Sequence, residues 1–155
     1  MMTPLFKKLN FKDKNEIFVL NAPHEFNSEM KAMSTFCPVK TQLLNDGSPV
    51  QFVLVFVTRK EEIDQSIRQI NPLLEGDAVL WYAYPKMSSK KYTCEFNRDT
   101  GWKSLAEYNI EPVRQVAIDE NWSALRFRKV KFIKSFTRND TMILSEQGRE
   151  KKSGK

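Results

Sequence analysis

The sequence contains few of the residues that build metal centres and redox sites. It has one histidine, His24, and two cysteines, Cys37 and Cys94, which lie far apart and form no Cys-x-x-Cys pair. A Cys/His zinc set needs four such ligands, so no metal site of this kind is predicted. We also find no Ser/His/Asp spacing and no paired carboxylates of the kind that catalysis requires. The sequence therefore favours a non-catalytic protein and leaves enzymatic activity open.

Long apolar runs are also missing. The N-terminal segment MMTPLFKKLNFKDK has no continuous apolar core, and no stretch approaches the length of a membrane span. These features predict neither a signal peptide nor a transmembrane helix. The expected location is the cytoplasm.

The 155 residues, 41% of them hydrophobic, are enough for one domain with a core that needs no disulfide or metal. We expect a single α/β domain over residues 1–140. The segment 141–155 is polar and rich in Gly, Ser and Lys, and is predicted to be a flexible tail.

Basic residues dominate the late part of the chain. The net charge is +6, and RFRKVKFIKSFTR (126–138) carries six basic residues and no acid. Such a segment is typical of proteins that bind nucleic acid, an anionic ligand or an acidic partner. It is also typical of an edge strand whose basic side chains prevent pairing between sheets, and this is the interpretation we favour.

Apolar runs alternate with amphipathic segments along the chain. Strands are predicted at 16–23, 50–57, 78–84, 111–119 and 122–130. Helices are predicted at 24–33, 58–71 and 98–109, the second with a capping box formed by Thr58 and Glu61. This alternation predicts an α/β, Rossmann-like, mostly parallel sheet with helices on both faces and a C-terminal antiparallel β-hairpin.

The segment 39–44 is a weaker strand candidate that conflicts with this topology. The link at 45–49 is too short for a crossover between parallel strands, which takes about a dozen residues. The segment is therefore expected either to pair with the next strand as a hairpin or not to be a strand.

Three segments carry a resemblance to a known family: VLNAPHEF (19–26), GDAVLWYAYPKMSSK (76–90) and VAIDENWSALRFRK (116–129). With the elements between them, they resemble an uncharacterised bacterial family of small domains that is similar to class I S-adenosylmethionine-dependent methyltransferases. The match covers about residues 5–130. The resemblance implies a Rossmann-like fold, and no catalytic residues come with it.

The methyltransferase comparison also implies a cofactor loop that the residues do not reproduce. That family has a glycine-rich turn after the first strand, where the backbone approaches the cofactor. Here the turn is Asn21-Ala22-Pro23-His24, and no glycine precedes Gly47. Asp46 is the nearest candidate for the acidic residue expected on the ribose. These departures argue against binding of S-adenosylmethionine, and the cofactor is left unknown.

The segment WYAYPKMSSKK (81–91) places a basic loop directly after a predicted buried strand. It is similar to the Lys-Met-Ser-Lys-Ser signature of class I aminoacyl-tRNA synthetases, which holds a triphosphate together with a separate histidine motif. Because His24 has no second histidine near it, we interpret the match as chance. The position is informative, since ligands of open α/β sheets bind beyond the carboxyl ends of the strands.

Four segments are expected to meet at that edge of the sheet. Their lysines and hydroxyls, beside a helix N-terminus at Thr58, predict an anion site. The candidate ligand-binding residues are Pro23, His24, Thr58, Arg59, Pro85, Lys86, Ser88, Ser89, Lys90, Asp119, Trp122 and Ser123.

Each candidate also has a structural interpretation, which we favour position by position. His24 could bond a local backbone group at a helix start, and the loop lysines could be solvated. Trp122 could be a core anchor. Asp119 could pair with Arg126 or cap a turn.

Three functions follow, in order of preference. The first is a non-catalytic, degenerate methyltransferase-like domain that binds an anionic small molecule or a protein partner. The second is a methyltransferase-like enzyme with a non-standard cofactor loop. The third is a nucleic-acid-binding domain that uses 126–138, where phenylalanines interleave with basic residues, although strand alternation turns Phe127 inward. The sequence does not specify an oligomeric state.

Overall fold

A computed structural model describes residues 2–12, 16–43, 47–96 and 101–133. The helices of this part of the chain are α1 (Pro4–Lys8), α2 (Asn27–Ser34), α3 (Lys60–Ile70) and α4 (Lys103–Ala106). The strands are β1 (Ile17–Leu20), β2 (Val39–Lys40), β3 (Val50–Phe56), β4 (Leu74–Pro85), β5 (Ile110–Ala117) and β6 (Trp122–Lys129).

The strands form one sheet in the order β2-β1-β3-β4-β6-β5. The first four strands of that order pair in parallel, and β6 is antiparallel to both of its neighbours. The predicted Rossmann-like α/β sheet with a C-terminal antiparallel hairpin is confirmed. Within the described ranges, no helix is both long enough and apolar enough to span a membrane.

The first face of the sheet, called the α2 face here, is covered by α1 and α2. Phe6 from α1 and Met33 from α2 are fully buried against strand residues that alternate toward this side. Trp81 lies fully buried in this layer and donates its indole N–H to the carbonyl oxygen of Leu9 at 2.7 Å. This hydrogen bond joins the end of α1 to the middle of β4.

The opposite face, called the α3 face, is covered by α3 and by the segment around α4. Helical spacing places Ile63, Ile67 and Ile70 on one side of α3, and all three are fully buried. Trp102, just before α4, is also fully buried, with its ring centroid 5.0 Å from that of Phe127. The inward orientation predicted for Phe127 is thereby confirmed.

The interpretation of residues 39–44 was wrong, because β2 pairs in parallel with β1. The strand ends at Lys40, so the link to β3 is 41–49 rather than 45–49. Lys40 of β2 and Val53 of β3 both lie opposite Phe18 of β1. Between Lys40 and the start of β3 at Val50, the chain therefore passes over β1 and runs back by the length of three residues. That path is roughly 10 Å across and roughly 10 Å back. Nine extended residues reach roughly 30 Å, so no helix is needed.

The edge-strand interpretation of the basic segment was also wrong. Its strand, β6, lies between β4 and β5, so the edge strand is β5. The reason is burial: Ala124, Leu125 and Phe127 of β6 need cover, whereas the middle of β5 is exposed. A bulge beside Pro112 interrupts the β5 edge and blunts it against pairing with another sheet. Residues 134–138 lie outside the described ranges.

Helix boundaries differ from the predictions in three places. Helix α1 was not predicted, although Thr3 caps it through a 3.3 Å hydrogen bond from the backbone N–H of Phe6 and Pro4 begins it. Helix α3 has Arg59 at its N-cap and Glu62 at N3, one residue later than predicted. Within the predicted helix at 98–109, only Lys103–Ala106 is α-helical among the residues described. The predicted tail at 141–155 lies outside them.

Candidate functional site

The strand order reverses between β1 and β3, because the chain runs outward from β1 to β2 and then returns past β1. In open α/β sheets such a topological switch point, at the carboxyl ends of the strands, is where ligands bind. An open groove of about 800 Å³ lies there, between the ends of β1 and β2 and the side of α3. We call it the switch-point groove.

Polar uncharged side chains dominate the lining of this groove. On α3, Glu62, Gln65, Ser66 and Gln69 recur at helical spacing and form a stripe beside the buried isoleucines. Of the described lining residues, Arg59 alone carries a positive charge. The amide and hydroxyl groups are Asn21, Thr41, Gln42, Gln65, Ser66 and Gln69.

The wall of the groove is tied to the core through Ser66. Its hydroxyl lies 2.7 Å from the hydroxyl of Tyr82, which is fully buried on the α3 face. Burial raises the pKa of Tyr82 well above its ordinary value, because the phenolate would lose its hydration. Tyr82 therefore acts as a neutral hydrogen-bonding group that fixes the position of Ser66.

The N-terminus of α3, predicted as an anion site, is already bonded to carboxylates of the protein. Oε1 of Glu62 accepts hydrogen bonds from the backbone N–H groups of Thr58 and Arg59, at 2.8 and 3.0 Å, and from the Thr58 hydroxyl at 3.1 Å. Oε2 of Glu95 accepts from the backbone N–H of Lys60 at 3.0 Å. These carboxylates already bind the backbone N–H groups of Thr58, Arg59 and Lys60, which are then not free for an external anion.

The turn after β1 has one feature of a ligand-binding loop. Asn21 adopts a left-handed conformation, with φ of 60°, which glycine or asparagine adopts at low cost. Pro23 then precedes the short 3-10 turn His24–Phe26. The ring Nδ1 of exposed His24 lies 3.3 Å from the side-chain amide of Asn27, so its observed contact is local.

The loop after β4 is held to the hairpin tip by turn-forming hydrogen bonds. The Ser89 hydroxyl donates to Oδ1 of Asn121 at 2.9 Å and accepts from the backbone N–H of Tyr92 at 3.0 Å. The backbone N–H of Lys86 donates to the carbonyl oxygen of Asn121 at 2.8 Å. Asp119 caps the tip, because Oδ1 accepts from the backbone N–H groups of Asn121 and Trp122. Ser88 and Lys90 are exposed.

A second contact closes the α2 side of the same edge. The Tyr92 hydroxyl donates to the Glu25 carboxylate at 2.7 Å, and the ammonium group of Lys91 lies 3.4 Å from the same carboxylate. The ring centroid of Tyr92 lies 4.8 Å from that of buried Trp122, and the ring centroid of Trp122 lies 5.0 Å from that of Phe56. The hydrogen bond from Tyr92 lowers the pKa of Glu25 against the opposing effect of burial, and the charge of Lys91 lowers it further.

This contact makes stability depend on pH in a defined direction. Because the folded pKa of Glu25 is lowered, the hydrogen bond stabilises the fold above pH 4.5 and is lost as pH falls below it. We expect Tyr92→Phe to lower Tm by about 2–4 °C at neutral pH. The difference in Tm between the wild type and this variant should become smaller below pH 4.5. Thermal unfolding by circular dichroism measures it, with Tyr108→Phe as the control. An equal gap at pH 7 and at about pH 3, where most carboxyls are protonated, would contradict the assignment.

The structure brings the four predicted segments to one edge of the sheet but divides their roles. The segments begin after β1, after β3, after β4 and at the start of β6, where Trp122 pairs with Pro85 and Ser123 with Tyr84. Of the predicted residues, Arg59 lines the switch-point groove. Sequence reasoning missed Asn21, Gln42 and the polar stripe of α3, although the helical spacing of that stripe is visible in the sequence.

The described residues also allow a test against metal sites. Within the described ranges, no group of three or more His, Cys, Asp or Glu side chains converges in a way that could hold a metal ion. The polar groups that line the groove are therefore amides, hydroxyls, one guanidinium and one carboxylate.

Comparisons with known proteins identify the class of fold. The sequence matches no protein-family model and no curated protein. The N-methyltransferase NodS from Bradyrhizobium japonicum WM9 is similar in structure, with a TM-score of 0.52 and 10% identity over 81% of this chain and 91% of that chain. NodS in complex with S-adenosyl-L-homocysteine gives 0.51 and 10% over 81% and 83%. A SAM-dependent methyltransferase from Aquifex aeolicus gives 0.49 and 10% over 81% and 87%.

The chain therefore has a Rossmann-like fold similar to that of the N-methyltransferase NodS. At 10% identity, the likeness to NodS concerns the fold and not the activity.

Proposed function

We propose that the protein is a non-catalytic, methyltransferase-like domain that binds a small anionic molecule in the switch-point groove. The observation that carries the proposal is the groove itself, at the position where this class of sheet binds ligands. Its volume of about 800 Å³ lies within the usual range of small-molecule sites. The resemblance of the three segments named above supports membership of the small methyltransferase-like family.

Arg59 is the group in the groove that would hold an anion. Arg59 stands at the N-cap of α3, and its guanidinium can form two parallel hydrogen bonds to a carboxylate or phosphate. Gln65, Gln69 and Gln42 offer both donors and acceptors to the uncharged part of such a ligand. The described parts of the link, 41–43 and 47–49, form no helix on this side of β1 and β2.

The lining supports binding without turnover. Of the described residues that line it, none is a histidine or a cysteine. Its one carboxylate, Glu62, accepts three hydrogen bonds through Oε1 as the cap of α3, so that oxygen is already bonded within the protein.

The residues present do not fit S-adenosylmethionine as methyltransferases hold it. The turn after β1 offers the left-handed Asn21 but no glycine, and Pro23 has no backbone N–H. The described residues after β2, Thr41 to Leu43, include no acid for a ribose, and Asp46 lies outside the described ranges. This mismatch supports an anion other than the family's cofactor.

The alternative is a methyltransferase-like enzyme with a non-standard cofactor loop. Its support is the fold shared with NodS, which was also solved with S-adenosyl-L-homocysteine. Methyl transfer from S-adenosylmethionine to any acceptor would favour this alternative over binding alone.

Ligand binding is tested by thermal shift and calorimetry with S-adenosylhomocysteine, AMP, ATP, citrate and phosphate. A ligand at 100 times its Kd should raise Tm by roughly 5–10 °C. Arg59→Ala should weaken binding by about 10-fold or more, since one charge-assisted contact is lost. Arg68→Ala, which removes the same charge from α3 outside the groove, should leave affinity unchanged. No shift with any anion, or equal affinity in Arg59→Ala, would refute the proposal.

A further inference from the structure

Three arginines lie on the α2 face of the C-terminal hairpin. Arg114 of β5 is directly opposite Arg126 of β6, and Arg128 points to the same face as Arg126 because it is two residues further on. We call them the arginine cluster. Opposed side chains of antiparallel strands lie roughly 5 Å apart at Cβ, and like charges in that position destabilise the pair.

Two acidic side chains, Asp77 and Glu111, lie near the Arg128 end of this cluster. Its guanidinium donates to both oxygens of the Asp77 carboxylate, with the Nε bond at 3.1 Å. Glu111 is directly opposite Arg128 and fully buried, so it brings a second carboxylate to the same end. Arg126 instead has Arg114 opposite it on one side and Trp81 on the other.

Arg126 is half-buried and lacks a partner for one of its donors. Its Nε atom is inaccessible to solvent and makes no hydrogen bond within the part of the chain described. Burial lowers the pKa of Arg126, and the charges of Arg128 and Arg114 lower it further, against the attraction of Asp77. A buried guanidinium donor without an acceptor adds to the cost of placing a charge here, and an oxyanion bound to the exposed part of the Arg126 guanidinium would offset that cost.

We propose that Arg114 and Arg126 bind a phosphate group between them on the α2 face of the hairpin. The phosphate oxygens accept from the solvent-facing Nη groups of the two guanidinium groups, and their negative charge relieves the repulsion between Arg114 and Arg126. The site is separate from the switch-point groove, which lies on the α3 face. The net charge of +6 favours the approach of such an anion.

The phosphate can be inorganic phosphate or the phosphodiester of a nucleic acid. Phe127 is fully buried on the opposite face, so a nucleic acid would be held here by its backbone and not by base stacking on that ring. The two sources are separated by the probes used.

The first arm uses phosphate as the probe. If Kd is millimolar, about 10 mM phosphate should raise the Tm of the wild type by about 3–5 °C, compared with chloride at equal ionic strength. Lys103→Met, which removes a basic residue from α4, should show the same shift. Arg126→Met should show none and, without phosphate, should be at least as stable as the wild type. A destabilised Arg126→Met that keeps the shift would overturn the proposal.

The second arm uses a labelled single strand of roughly 12 nucleotides. Binding that weakens steeply from about 50 mM to about 200 mM salt, and that Arg126→Met reduces at least 5-fold, assigns the site to nucleic acid. A phosphate shift without strand binding assigns it to free phosphate. If neither probe distinguishes the wild type from Arg126→Met, the arginine cluster binds no phosphate.

Discussion

Replacing Trp81 with alanine is expected to cost about 3–5 kcal/mol of unfolding free energy, a large part of the stability of a domain of this size. Trp81 is fully buried on the α2 face, and its indole N–H bonds the carbonyl oxygen of Leu9 at 2.7 Å. The substitution removes the ring and also leaves that buried oxygen without its donor. Urea unfolding followed by circular dichroism measures the loss.

The milder variant Trp81→Phe separates the two contributions. It keeps most of the apolar ring and removes the hydrogen bond, so we expect a loss of about 1–3 kcal/mol. Hydrogen exchange should accelerate at the backbone amides of Leu9 and Phe11, because this bond ties the end of α1 to the sheet. A loss below about 1 kcal/mol for Trp81→Ala would contradict the observed packing.

Removing the negative charge of Asp77 is the second large effect. Arg128 donates two hydrogen bonds to it, and both side chains are about one-third exposed, at 28% for Arg128 and 35% for Asp77. A fully buried pair costs about 3–5 kcal/mol when one partner is removed, and exposure reduces that here to about 2 kcal/mol. We expect this loss in Asp77→Asn, because it leaves the arginine cluster with less compensating charge.

A double-mutant cycle isolates the interaction. Arg128→Met in the Asp77→Asn background removes the uncompensated charge, and it should recover at least half of the lost stability. High salt should also narrow the gap between Asp77→Asn and the wild type. If the unfolding free energy of Asp77→Asn lies within about 0.5 kcal/mol of the wild-type value, the ion pair does not stabilise the fold.

The parts of the fold that the sequence predicts correctly are those with a strong local pattern. The run VQFVLVFV is buried along nearly its whole length because β3 lies inside a parallel sheet, and AVLWYAY forms the buried part of β4. The isoleucine stripe of α3 and the hairpin of β5 and β6 also follow directly from periodicity.

The missed features depend on contacts between distant segments. β2 has two residues, and its pairing with β1 follows from the path of the link and not from any pattern of its own. The order within the hairpin depends on which strand buries more surface against β4. The switch-point groove joins Asn21, Gln42 and Gln65, which no sequence spacing relates. The pairing of Glu25 with Tyr92 likewise spans distant loops.

The most direct measurement is a two-dimensional amide NMR titration of the Arg126→Met variant, in which the proposed hairpin site is removed. The ligand is the anion that gives the largest thermal shift in that variant. The account predicts resonance changes at Asn21, Gln42, Arg59 and Gln65, around the switch-point groove. Changes confined to the loop 86–91 or to the hairpin tip 119–123, or no saturable change with any anion, would contradict it.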